Sequence, residues 1–144
     1  MKKLAIILTI VATTAMIFSS CGKYEEGPGV SLLTKKARIT GTWAVVETIT
    51  NGIGYTGDDN ETWTFNRDGT GNTTETDGSY SETTTFEWEF NDSKESIIIK
   101  KTHDNTFYLT ELKIARLTNK ELWITDTSTY GAIVYETITK FEKE

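Results

Sequence analysis

His103 is the only imidazole in the chain, and it sits between Thr102 and Asp104 in a stretch that reads as a turn. A nucleophile, a base and an orienting group cannot all be assembled without a second candidate base, so an exposed loop histidine is the expectation. Glu87 and Glu89 alternate along one strand and project from one face about 7 Å apart at Cα, a separation that glycosidases use for their carboxyl pairs. Strand alternation gives the same spacing without any chemistry, and on a wet face neither carboxyl would be held protonated as the acid that glycoside cleavage needs. Asp58-Asp59-Asn60-Glu61 offers oxygen ligands for Ca²⁺ but lacks the spaced acidic pattern and the glycine of a calcium loop, so it reads as a solvated acidic loop. The expectation is therefore a chain with no catalytic residues, no metal and no cofactor.

Cys21 is the only cysteine, which excludes an internal disulfide framework and leaves its chemistry to its setting. Met1-Lys2-Lys3 makes a positive start, Leu4 to Phe18 an apolar stretch, and Ser19-Ser20 a small-residue end. This is the layout of an export signal. The run carries Thr9, Thr13 and Thr14, and it falls short of the roughly 20 apolar residues of a spanning helix. Phe18-Ser19-Ser20-Cys21 resembles a bacterial lipobox. The resemblance implies that residues 1–20 are a lipoprotein signal peptide, and that Cys21 becomes the N-terminus and carries acyl chains such as palmitate. At about 0.8 kcal/mol per buried CH₂, two or three such chains hold a protein on a membrane. Gly22, where an aspartate would retain a lipoprotein, implies the cell outer membrane. Lys23-Tyr24-Glu25-Glu26 resembles the export tags of surface lipoproteins in Bacteroidota, and a solvated tether is the alternative, so either the periplasmic face or the cell surface stays open.

The elements behind the anchor follow from composition. Formal charge is -6, and loss of Lys2 and Lys3 with the signal leaves 13 basic against 21 acidic side chains, a net of -8. That charge argues against nucleic acid as a partner and against a basic patch as the membrane contact, so the lipid must do the anchoring. Residues 21–30, with Gly22, Gly27, Pro28 and Gly29, read as a flexible tether. Residues 31–144 are one domain, because so short a chain does not divide into two cores. Ser31 is a candidate N-cap and Gly41 a stop for a short amphipathic helix between them.

The 27 threonines and 16 aromatic residues of the chain favour pleated sheet over helix. Strand-like runs cover 42–50, 61–66, 70–76, 79–90, 95–102, 106–117, 120–126 and 132–142. Between them lie residues that tolerate positive φ or cap their own backbone, such as Asn66-Arg67-Asp68-Gly69, Asp77-Gly78 and Asn91-Asp92-Ser93. Phe86-Glu87-Trp88-Glu89-Phe90 puts three aromatics on one face and two carboxylates on the other. Eight such strands hide their dry faces and lose their edges by closing, which predicts an all-β, eight-stranded antiparallel up-and-down barrel with a short N-terminal helix. A barrel that satisfies its own edges is expected to be a monomer.

Gly41-Thr42-Trp43 at the head of the first strand, after a short helix, resembles the Gly-X-Trp signature of lipocalins. Trp63-Thr64-Phe65-Asn66-Arg67-Asp68-Gly69-Thr70-Gly71, Trp88-Glu89-Phe90 and Leu117 to Ile124 look like repeated landmarks of lipocalin-like domains in lipoproteins of Bacteroidota. The resemblance covers about residues 30 to 144. It implies that Trp43 packs across the closed end of the barrel, and that the interior takes a ligand. The domain is shorter than a secreted lipocalin and lacks the cysteine pair that fastens the tail, which implies a smaller cavity and a looser C-terminal segment.

The candidates for the barrel interior or ligand lining are Trp43, Val45, Glu47, Trp63, Phe65, Phe86, Trp88 and Phe90. Glu47 is placed with them because it lies two residues along the face begun by Trp43 and Val45. Eight strands enclose a space that side chains can fill or that one small ligand can occupy. The reading adopted is a lipid-anchored envelope lipoprotein that binds a small apolar or amphipathic molecule without catalysis. The alternative is a non-enzymatic surface module with a solid core, contacting glycans or proteins through Tyr24, Tyr55, Tyr80 and Tyr130.

Overall fold

Alternation of side chains beyond Gly41 is realised as antiparallel sheet throughout. The computed structural model describes residues 33–56, 60–103 and 106–144. Residues 1–32, and with them Cys21, the signal and most of the tether, lie outside the described residues. Among the described residues one helix, α1 (Lys35–Ile39), precedes β1 (Gly41–Thr50), β2 (Ile53–Thr56), β3 (Glu61–Phe65), β4 (Thr70–Asp77), β5 (Tyr80–Phe90), β6 (Ser96–His103), β7 (Thr106–Leu117), β8 (Glu121–Tyr130) and β9 (Ile133–Lys143). Strands β3 to β9 pair in sequence order, β3 pairs with β1, and β9 returns to pair with β1. Eight strands thus close an up-and-down barrel, as the eight runs predict.

The ninth strand is an addition to that expectation. Asn51 and Gly52 both take positive φ, 50° and 81°, the two-residue turn whose twist suits a hairpin and which the Asn-Gly pair favours. The turn folds β2 onto β1, with Thr50 opposite Ile53 and Glu47 opposite Thr56. β3 pairs with the start of the same strand, Ala44 opposite Thr62, so β2 and β3 lie along successive parts of β1.

The turns at the helix-bearing pole are tied by their own side chains. Asp68 Oδ1 accepts from the amide and hydroxyl of Thr70, at 2.9 and 2.7 Å. Asn91 Oδ1 accepts from the amides of Glu95 and Ser96, and Thr118 Oγ1 from those of Lys120 and Glu121. Helix α1 plugs this pole. Its N-cap is Thr34, whose Oγ1 accepts from the amide of Ala37, so the helix starts later than a cap at Ser31 would have it. Arg38 and Ile39 are its buried residues, and Arg38 Nη1 donates to the carbonyl of Leu117 at 2.9 Å.

The core fills the half of the barrel next to α1. Trp43, Phe65, Phe86, Trp88, Ile97, Leu117, Leu122 and Phe141 are all buried there. Phe65 meets Phe86 and Trp88 edge-on, with centroids 5.6 and 5.5 Å apart, the arrangement ring quadrupoles prefer. Gly71 lies between Phe65 and Phe86 in register. A Cβ there would sit 2.3 Å from Phe86 Cε2 and 2.5 Å from the carbonyl oxygen of Thr64, so only a glycine lets the ring reach the wall. The C-terminal segment is not loose: β9 runs to Lys143, and the Glu144 amide donates to the carbonyl of Thr42.

Candidate functional site

Seven of the eight interior candidates face inward. Trp43, Phe65, Phe86 and Trp88 form the solid lower half, Val45 lies at its top, and Trp63 and Phe90 are partly buried against it. Trp43 spans the helix pole: its Nε1 donates to the carbonyl of Ile39 at 2.7 Å, and Lys143 Nζ lies 5.0 Å from its ring centroid. That ammonium donates to the carbonyls of Arg38 and Thr40, and its burial pulls its pKa below the usual lysine value.

Glu47 is a correction. A bulge between Val45 and Glu47 shifts the register, so that Val45 opposes Phe141 and Glu47 opposes Lys140. One extra residue moves every later side chain to the other face. Glu47 therefore lies on the outer wall, bonded to Lys140 at 2.8 Å, and Thr48 takes the inward position instead. The same device at Ala115 in β7 turns Arg116 outward, where it and Lys140 flank the ring of Trp123.

Above the core the inward face changes chemistry. Register places Glu61 of β3 opposite Glu75 of β4, and Glu75 opposite Glu82 of β5. Asp77 opposes Tyr80 on the same two strands, and Tyr55 of β2 opposes Thr48. These residues, with Val45, line a concavity of about 680 Å³ between β2 and the β4–β5 hairpin. Trp63, one step nearer the core on the same face of β3, donates from Nε1 to Glu61 Oε1 at 2.7 Å, with Lys101 Nζ 5.7 Å from the ring centroid.

Unequal strand pairing makes the opening. β3 reaches only to Glu61 against Glu75, while β5 pairs with β6 only from Glu87 to Phe90. The outer half of the β4–β5 hairpin is therefore bonded mainly to itself, with β2 on one side and β6 on the other left unzipped from it. Around the same pole stand exposed apolar side chains from three further hairpins: Ile53, Tyr55, Phe107, Tyr108, Leu109, Tyr130, Ile133 and Val134.

The remaining sequence candidates lie apart from this cavity. Glu87 and Glu89 face outward; Lys100 stands opposite Glu87 and bonds Glu89, and that bond holds it above its usual pKa. Asn60 and Glu61 flank the opening, whereas Asp58 and Asp59 fall outside the described residues. His103 ends β6 opposite Thr106. Among the described residues no group of histidine, cysteine and carboxylate side chains is placed to hold a metal ion, and no helix is long and apolar enough to cross a membrane. Glu75 and Glu82 were not among the sequence candidates, although parity carries the signal: Glu82 shares its face with Phe86 and Trp88.

A closed antiparallel barrel, plugged at one pole by a short helix under a buried Gly-X-Trp tryptophan, is a lipocalin-like fold. The chain is similar to a lipocalin-like protein from Bacteroides uniformis ATCC 8492, with a TM-score of 0.56 and 13% identity over 74% of this chain and 99% of that one. It is similar to the same degree, at TM-score 0.56 and 17% identity over 74% and 99%, to an uncharacterized protein from Bacteroides eggerthii DSM 20697. At such identity the likeness is one of fold. No family model and no curated protein matches the sequence.

Proposed function

We propose that this chain is a lipid-anchored lipoprotein of the cell envelope whose barrel binds a small amphipathic molecule non-covalently, without catalysis. The observation that carries the binding half is the division of the barrel. Its helix-bearing half is filled by buried aromatics, and its other half holds a concavity of about 680 Å³ lined by tyrosine, threonine and carboxylate side chains. That volume and mixture suit one small ligand with an apolar body and a polar end. The anchor rests on Cys21 in its lipobox-like setting, which supports the outer membrane as the location and the lipid as the membrane contact. Binding without catalysis is our reading because His103 is the one imidazole and the carboxylate pair of β5 faces outward.

Native mass spectrometry of the protein taken from its own envelope tests both halves. A mass increment on Cys21 and a second, non-covalent increment are expected. An unmodified thiol, or a retained residue 1–20 segment, overturns the anchor, while no bound mass and no binding of apolar probes at millimolar concentration overturns the ligand. In the second case the crown of exposed Ile53, Phe107, Leu109, Tyr130 and Ile133 favours the other reading, a module that docks on another macromolecule through this pole.

A further inference from the structure

We infer that the outer half of β7, residues 106–112, is a docking edge that takes an extended segment of another polypeptide as an added strand. This holds whether or not the concavity takes a small molecule, since no residue of β7 or β8 lines it. β7 pairs with β6 from Lys113 out to Thr106, which stands opposite His103, but it pairs with β8 only from Lys113 inward, toward Leu117. β8 in turn stays paired with β9 out to Tyr130, opposite Ile133. Among the described residues, 106–112 of β7 and 126–130 of β8 are therefore bonded along one side only, and the N–H and C=O groups of the other side face an unzipped seam. An exposed row of such groups is a template for another strand.

Other free edges at this pole carry the guards that keep strands from pairing with strangers. That of β5 has Glu82 among threonines, that of β6 has Lys101, that of β8 has Asp126 among hydroxyl side chains, and β2 is only four residues long. Residues 106–112 have none of these. No lysine, proline or glycine interrupts them, their register against β6 is unbroken, and their one charge, Glu111, accepts from Asn91 Nδ2 at 3.2 Å. Phe107, Tyr108 and Leu109 are instead 61, 52 and 58% exposed. Parity from the buried Leu112 turns Tyr108 inward and Phe107 and Leu109 outward, so an added strand gains apolar contact on both faces. Backbone and charge then select the occupant. A bilayer offers no partner to peptide N–H and C=O groups, so an unpaired strand edge does not enter one. A glycan lacks the donors and acceptors that alternate at strand spacing. A second copy brings another formal charge of -6, and like net charge resists association. An extended segment that is neutral or basic, with β-branched or aromatic residues on both faces, meets all three demands.

The test titrates a fluorescent-labelled peptide, Lys-Thr-Val-Thr-Tyr-Thr-Val-Lys with blocked ends, into the full chain in a non-ionic detergent, read by fluorescence anisotropy. Backbone pairing tolerates many sequences, so this generic strand former is expected to bind. The same peptide N-methylated at two alternate residues keeps its side chains but cannot donate along one edge. It should bind about 10-fold more weakly, the scale of two or three lost hydrogen bonds. The double variant F107K/L109K puts guards on the edge and should also weaken binding about 10-fold, while its melting temperature stays unchanged because both side chains are exposed. Hydrogen exchange at the amides of 106–112 should slow with the peptide and not with its N-methylated form. Equal binding of the two peptides, unchanged affinity in F107K/L109K, or no binding at millimolar concentration overturns the strand edge. A dimer in sedimentation that F107K/L109K dissolves would place a second copy on the edge and overturn the foreign segment. Small apolar probes should bind F107K/L109K as they bind the unaltered chain, since neither residue lines the concavity, so this inference and the ligand reading fail separately.

Discussion

Lys143 reaches back over the helix pole, where its ammonium donates to the carbonyls of Arg38 and Thr40 while its stem and charge cover the ring of Trp43. Trp43 is fully buried, and its indole N–H is itself bonded to the carbonyl of Ile39. Trp43→Ala would open a cavity, expose no new partner and orphan that carbonyl, so a loss of about 3 to 5 kcal/mol in urea denaturation is expected. A loss under about 1 kcal/mol, typical of exposed sites, would contradict this placement. Asp68 illustrates a residue that acts through a turn. The Thr70 amide, then the Thr70 hydroxyl, hold its carboxyl below the usual range. A carboxyl whose folded pKa lies below its unfolded one adds stability above the unfolded value, and that stability is lost as pH falls through the folded one. Asp68→Asn should therefore flatten the acid limb of the stability curve below about pH 4, the usual carboxylate range, and leave its dependence near neutrality unchanged. An acid limb identical to that of the unaltered protein would show that the turn gains nothing from the charge.

Between residues, strands obey parity, and parity explains both what the sequence reveals and what it hides. The run Phe86 to Phe90 alternates without interruption, and its aromatics face inward as the pattern predicts. Glu47 follows the same count from Trp43 yet lies outside, because the bulge after Val45 adds a residue that no composition signal marks. β2 was hidden for a different reason: Ile53-Gly54-Tyr55-Thr56 is exposed and too short to alternate, although Asn51-Gly52 marks its turn. The acidic row was hidden because its members come from three strands and meet only in register, whereas the aromatic stripe could be read within one. Gly71 belongs to this scale as well, since its lack of a side chain is what lets β4 and β5 close over Phe86. Gly71→Ala should cost about 1 to 3 kcal/mol, the range for overpacking a filled core, although alanine otherwise suits a strand better than glycine. A stability equal to or above that of the unaltered chain would mean that the Phe86 ring moves aside freely.

Closure makes the domain depend on its last strand more than on its first residues. β9 pairs with β8 along its length and with β1 from Trp43 to Thr50, so it seals both sides of the seam. It also supplies Phe141 to the core and Lys143 to the helix pole. A chain ending at Thr137 would lose Phe141, Lys143, the β8 pairing from Glu121 to Thr125 and all of the β1 pairing except Thr50 with Thr137. Phe141 alone is worth about 3 to 5 kcal/mol by the usual cost of deleting a large buried aromatic, set against a total of roughly 5 to 15 kcal/mol for a domain. The edges of β1 and β8 would also be left open to pair with other chains. The expected outcome is loss of the cooperative thermal transition, followed by far-ultraviolet circular dichroism and light scattering, with aggregation in place of a folded monomer. A chain beginning at Leu33 keeps every described strand, α1 and its Thr34 cap, and should melt within about 1 kcal/mol of the full chain if the barrel and its helix plug carry the stability. Were the chain ending at Thr137 to melt like the full-length one, the seam between β9 and β1 would not be what holds the barrel shut. Were the chain beginning at Leu33 to lose its transition instead, the stability of the fold would have to come from residues that precede the helix.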